Sequence, residues 1–143
     1  MVEQTATPAE SAIGLERAAE LVELLLSAWT DGKPARRQQT LDACCVPDVS
    51  YINPLSAVEG TPSVSELLGA IQAQYPGLTP VRVTELDLHH GYARFGWELR
   101  NGAGTVALVG TDIVEWTADG SLIESIITFF GPLQPRVATY SYP

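Results

Sequence analysis

The stretch Val106–Gly131, VALVGTDIVEWTADGSLIESIITFFG, decides the fold. Its β-branched and apolar runs flank Ala118-Asp119-Gly120, and Asp-Gly between such runs predicts two long antiparallel strands joined by a turn. One residue sits badly in this pattern. Asp112 falls inside the first strand, where Asp is depleted. Counting by two puts Leu108, Gly110, Asp112, Val114 and Trp116 on one face, so the carboxyl shares its side of the sheet with apolar neighbours. A carboxyl on an apolar sheet face marks either a sheet edge or a cavity.

Upstream of this hairpin the pattern stays β back to about residue 79, with strands expected at 79–88 and 92–100 before those at 104–116 and 121–130. His89-His90-Gly91 and Asn101-Gly102-Ala103 supply the turns. Before residue 79 the period changes. Leu21, Leu24, Leu25 and Ala28 recur at helical spacing from Ser11 to Trp29. A second helix is expected over Ala35 to Cys45, closed by Pro47, and a short strand over Val49–Asn53, ended by Pro54. A third helix follows Gly60, with Ser63 and Glu66 spaced as a capping box and Val64, Leu67, Leu68 and Ile71 as its buried side. Residues 1–10 read as a loose tail, 11–133 as one domain and 134–143 as a C-terminal tail wrapping the surface. Three helices followed by strands predict an α+β fold, a curved antiparallel sheet packed on the helices as a cone-shaped roll that encloses an apolar pocket.

Composition narrows the partners. The 143 residues carry 8 basic and 17 acidic side chains, a formal net charge of −9. Nucleic acid and anionic membrane surfaces reward clustered Lys and Arg, so neither is expected as a partner. No apolar run approaches the roughly 18 residues of a membrane span, and MVEQTATPAE lacks the basic start of a secretory signal. Cys44 and Cys45 are the only cysteines. Adjacent cysteines rarely meet disulfide geometry, and no second Cys or His group stands at metal-ligand spacing. They read as small core residues in a reducing cytoplasm, and no metal site is expected.

The order of elements, together with Tyr51-Ile52-Asn53-Pro54, Gly60, Arg94-Phe95-Gly96-Trp97, Gly110-Thr111-Asp112 and Asp119-Gly120…Phe129-Phe130-Gly131, resembles the nuclear-transport-factor-two-like superfamily, also called SnoaL-like or ketosteroid-isomerase-like. The resemblance spans roughly residues 15–133. It implies fold far more than reaction, because one fold hosts many chemistries. Ketosteroid isomerases carry a general base, an Asp before Pro, where this chain has Asn53, and an amide cannot accept that proton. Limonene epoxide hydrolases place a Tyr and an Asn as Tyr51 and Asn53 stand here, but their acidic residue on the last strand is replaced by Thr128. Asp112 keeps its match: the resemblance implies an acid/base of aldol-type ring closure, as in polyketide cyclases, or a neutral donor to an enolate. Burial raises a carboxyl pKa and suits it to either role.

The expected function is therefore a cofactor-independent isomerase or cyclase acting on a small apolar carbonyl compound. Asp112 is its candidate catalytic residue, with Tyr51 and Asn53 as positioning donors. Phe95 and Trp97 on one strand, Ile126, Thr128 and Phe130 on the last, and Trp29 and Trp116 are candidate substrate-binding residues; core packing is the competing role for the aromatics. A non-catalytic ligand-binding or dimerisation module is the alternative from another class, and an epoxide-opening hydrolase a third reading. Arg94 is expected on an outer face and His89 and His90 in an exposed turn. Ala107, Val109 and Ile113 give the outer sheet face an apolar character that predicts a homodimer through the sheet.

Overall fold

The computed structural model describes residues 13–136. Helix α1 (Leu15–Ala28) buries Ala18, Leu21, Val22, Leu25, Leu26 and Ala28, spaced for one continuous stripe. Leu24, expected in that stripe, lies beside it and is exposed. Helix α2 (Pro34–Cys44) opens on Pro34, whose missing N–H costs nothing in a first turn. It ends at Cys44, and strand β1 (Cys45–Asn53) begins at once, so Pro47 lies within the strand rather than closing the helix. Cys44 and Cys45 are both buried and free, their sulfurs 3.7 Å apart, far beyond a disulfide bond.

Strand β2 (Ser56–Glu59) turns back antiparallel on β1 and has no counterpart among the expected strands. Helix α3 (Thr61–Gln74) follows, with Gly60 at φ 94° as its N-cap residue. The capping box expected at Ser63 does not form, because Pro62 already occupies the first turn and starts the helix earlier. Thr61 is used instead to join helices: its hydroxyl donates to Asp42 Oδ1 at 2.8 Å and accepts from Gln38 at 2.8 Å. Arg37 is buried at the same junction, donating to Ser65 Oγ at 3.1 Å and to the Asp31 carbonyl at 2.8 Å.

The sheet is completed by β3 (Thr79–Arg82), β4 (Asp87–His89), β5 (Tyr92–Arg100), β6 (Val106–Trp116) and β7 (Ile123–Phe130). The single strand expected over 79–88 is two short ones, both antiparallel to β5. Strand order is β2-β1-β7-β6-β5-β3, with β4 also on β5. The β6–β7 hairpin forms as expected, with Gly120 at φ 72° in its turn. One pairing departs from the all-antiparallel expectation: β1 runs parallel to β7, so the curved sheet is mixed. Three helices against this sheet give the α+β roll. No helix among the described residues is long and apolar enough to cross a membrane.

The register lays the concave face out as a grid. Ala93, Val114, Ile126 and Tyr51 form one row across β5, β6, β7 and β1. Phe95, Asp112 and Thr128 form the next; Trp97, Gly110 and Phe130 the one beyond. The first row is core. The last faces open space.

Candidate active site

Between the sheet and α1 and α3 lies a cavity of about 560 Å³, within the usual range for a small-molecule site. Leu26 from α1, Trp29 at its C-terminal cap, and Leu67 and Ile71 from α3 form its helical wall. Trp97, Asp112, Thr128 and Phe130 form the sheet wall, and Asn53 closes one side. The cavity reaches the surface near Leu55 and Tyr75, both exposed.

Asp112 lies on the row between packed core and open space, and only 6% of its surface is accessible. Its Oδ1 accepts two hydrogen bonds, from Trp97 Nε1 at 2.8 Å and from Thr128 Oγ1 at 2.7 Å. The Trp97 bond is diagonal across the grid and depends on Gly110. A Cβ there would stand 2.1 Å from Trp97 Cζ2, so the indole lies where a side chain would be and reaches the carboxyl. Oδ2 has no donor among the described residues and is not sealed off; the one enclosed, unpartnered side-chain atom among them is Trp116 Nε1. Since Asp112 lines the cavity, its free oxygen opens onto it. Burial pushes the carboxyl up from 3.8 to about 6, with the Thr128 and Trp97 hydrogen bonds pulling the other way.

Tyr51 and Asn53 divide. Tyr51 is buried one row below the carboxyl and is not on the cavity wall. Its phenol is pushed up to about 12, first by burial and then by the charge of Asp112, with the neighbouring Thr128 and Asn53 side chains opposing. Asn53 does reach the cavity, but its Oδ1 accepts the Leu55 N–H at 2.8 Å, holding the turn after Pro54. That bond points its amide NH2 end away from the turn.

Of the residues expected to bind substrate, Trp29, Trp97, Thr128 and Phe130 line the cavity. Phe95, Trp116 and Ile126 do not: they are buried in the core. The alternation put them on the correct face, but helices cover that part of it. Trp97 and Phe130 meet edge to face, with ring centroids 6.3 Å apart at 88°. Ala107 also corrects its expected place; a register shift between Leu99 and Arg100 turns it toward the cavity mouth instead of the outer face. Arg94 is on the outer face, paired with Asp87 at 2.8 Å. His89 and His90 form an exposed turn, their Nδ1 atoms 3.2 Å apart. Leu67, Ile71 and Tyr75 of α3 and its C-terminal end carry no site signal in the sequence; only the position of α3 over the sheet reveals their role.

No protein-family model matches the chain, and no curated protein does. Solved structures match well. A candidate isomerase of the SnoaL-like family from Agrobacterium tumefaciens strain C58 superposes with a TM-score of 0.76 at 24% identity, over 82% of this chain and 99% of that one. The chain has the nuclear-transport-factor-two-like fold. A nuclear-transport-factor-two-like protein of unknown function from Cytophaga hutchinsonii covers 92% of the chain and 96% of its own, with a TM-score of 0.59 and 11% identity. A ketosteroid-isomerase-like protein from Catenulispora acidiphila, solved in complex with trimethylamine, covers 76% and 83% with a TM-score of 0.62 and 15% identity. At these identities the nuclear-transport-factor-two-like likeness establishes architecture, and the chemistry rests on this chain's own cavity.

Proposed function

We propose that the cavity is the active site of a cofactor-independent isomerase or cyclase whose acid/base is Asp112 and whose substrate is a small apolar carbonyl compound. The free Oδ2 of Asp112, opening onto an otherwise mostly apolar cavity, carries this reading. Oδ2 takes a proton from the carbon beside the substrate carbonyl, leaving an enolate. Returning that proton to a different carbon isomerises the substrate; attack of the enolate carbon on a second carbonyl closes a ring, and the proton held by Asp112 passes to the alkoxide so formed. A base holding its proton at about 6 is suited to both halves of the cycle near neutrality. Trp97 and Thr128 fix the carboxylate through Oδ1, and the Asn53 amide, on the cavity wall, is the donor for the enolate oxygen. Tyr51, buried one row below the carboxyl, acts as a positioning residue.

The test works whatever the product is. Apolar ketones incubated with the protein in D2O are followed by NMR for exchange at the α-carbon. Asp112→Asn is expected to lower the exchange rate by about 10²–10⁴ without lowering the melting temperature. Equal exchange in that variant removes Asp112 from the mechanism.

We also propose that the chain pairs as a homodimer through the outer sheet face. Ile52, Ile127 and Ile113 lie side by side there, and Phe129 is 55% exposed beside them. Apolar surface of this kind is stabilised by burial. Light scattering at micromolar concentration should give twice the 15.4 kDa chain mass; a monomer contradicts the pairing.

A further inference from the structure

The cavity is lopsided in charge. Among the described residues its wall carries the Asp112 carboxyl and no Lys, Arg or His side chain. Both donors that reach the carboxyl, the Trp97 indole and the Thr128 hydroxyl, are neutral and share Oδ1. When ionised, Asp112 is a buried anion without a counter-cation, an arrangement that is costly until an opposite charge arrives. Four aromatic side chains, Trp29, Tyr75, Trp97 and Phe130, stand around the same space. Aromatic faces attract cations, most strongly where water is excluded. The edge-to-face contact of Trp97 with Phe130 keeps the two rings from covering each other's faces fully. A net charge of −9 draws cations toward the mouth.

We propose that this cavity binds an apolar tertiary amine in its protonated form, with the N⁺–H on Asp112 Oδ2, the N-alkyl groups against the aromatic rings and the hydrocarbon body along α1 and α3. The assignment goes beyond the acid/base reading and does not rest on it, since it concerns which ligand the ionised pocket retains. It also excludes a class: carboxylates and phosphates meet no positive group on the wall and one negative group.

The experiment compares two probes of similar shape, N,N-dimethylbenzylamine and the uncharged N,N-dimethylbenzamide, by calorimetry on the full chain at pH 8 and low salt. The amine should bind about tenfold or more tightly than the amide. In Asp112→Asn that preference should vanish, while the amide keeps its affinity within about threefold, which also reports that the variant is folded. A readout free of substitutions is the same ratio at pH 5, where protonation of Asp112 should reduce it. The titratable side chains facing Asp112 are Tyr51 from β1 and, across the cavity, Tyr75 at the end of α3; no other titratable side chain among the described residues lines the space. Equal affinities in the wild type, no measurable binding of the amine, or an unchanged ratio in Asp112→Asn each overturn the proposal. Ketone exchange is read separately, so failure of either proposal leaves the other open to measurement.

Discussion

At the closed end of the concave face, Ala93, Val114, Ile126 and Tyr51 lie side by side on adjacent strands and are almost wholly inaccessible. Two rows on, Trp97, Gly110 and Phe130 lie side by side in the same way, and there the wall faces a cavity. Strand, twist and alternation are shared by both rows. What differs is the cover: at one end helical side chains meet the sheet, and at the other they stand off it. Asp112 occupies the row between, so its carboxyl is desolvated like a core group yet keeps one oxygen open like a site group. An apolar residue there would only extend the core. A carboxyl one row further out would be better hydrated and less perturbed.

Removing a large side chain from the closed end should have the largest effect on stability. Ile126→Ala leaves a void among fully packed neighbours and should cost about 4 kcal/mol, read by chemical denaturation. The second effect belongs to the boundary row. Asp112 holds its proton more tightly when folded (about 6) than at its ordinary value of 3.8. The folded state therefore binds more protons between these values. The group's stabilising contribution is complete below about pH 4 and is lost as pH rises through about 6, a change of about 3 kcal/mol. Denaturation across that window should show the loss in the wild type and its absence from Asp112→Asn; parallel profiles would mean that the carboxyl is not desolvated. The smallest effect belongs to the open end. Leu108→Ala removes a half-buried side chain that already borders space, so it should cost only about 1 kcal/mol. A cost equal to that of Ile126→Ala would erase the distinction between the two ends.

Counting by two along Val106–Trp116 is enough to place Asp112 on the inner face with Gly110, Val114 and Trp116, because side-chain direction in a strand is a local property. The Asp-Gly turn and the helical stripe of α1 are legible for the same reason. The division between Trp97, which lines the cavity, and Phe95, which does not, is not local. It depends on where α1 and α3 run over the sheet, which no strand encodes. The parallel β1–β7 pairing is likewise a contact between distant segments. Asn53 has two readings, cavity-lining residue and turn-former, and holds both positions at once. Tyr51 shares the face of Asn53 as expected, but two residues along the strand move it one row down into the core.

The carboxyl of Asp112 can be followed directly by carbon-13 NMR, with its resonance assigned by loss in Asp112→Asn. A midpoint at about 6 supports a desolvated group with one oxygen open to the cavity. A midpoint at the ordinary 3.8 would mean a carboxyl in contact with bulk water, and would contradict a site built on its burial.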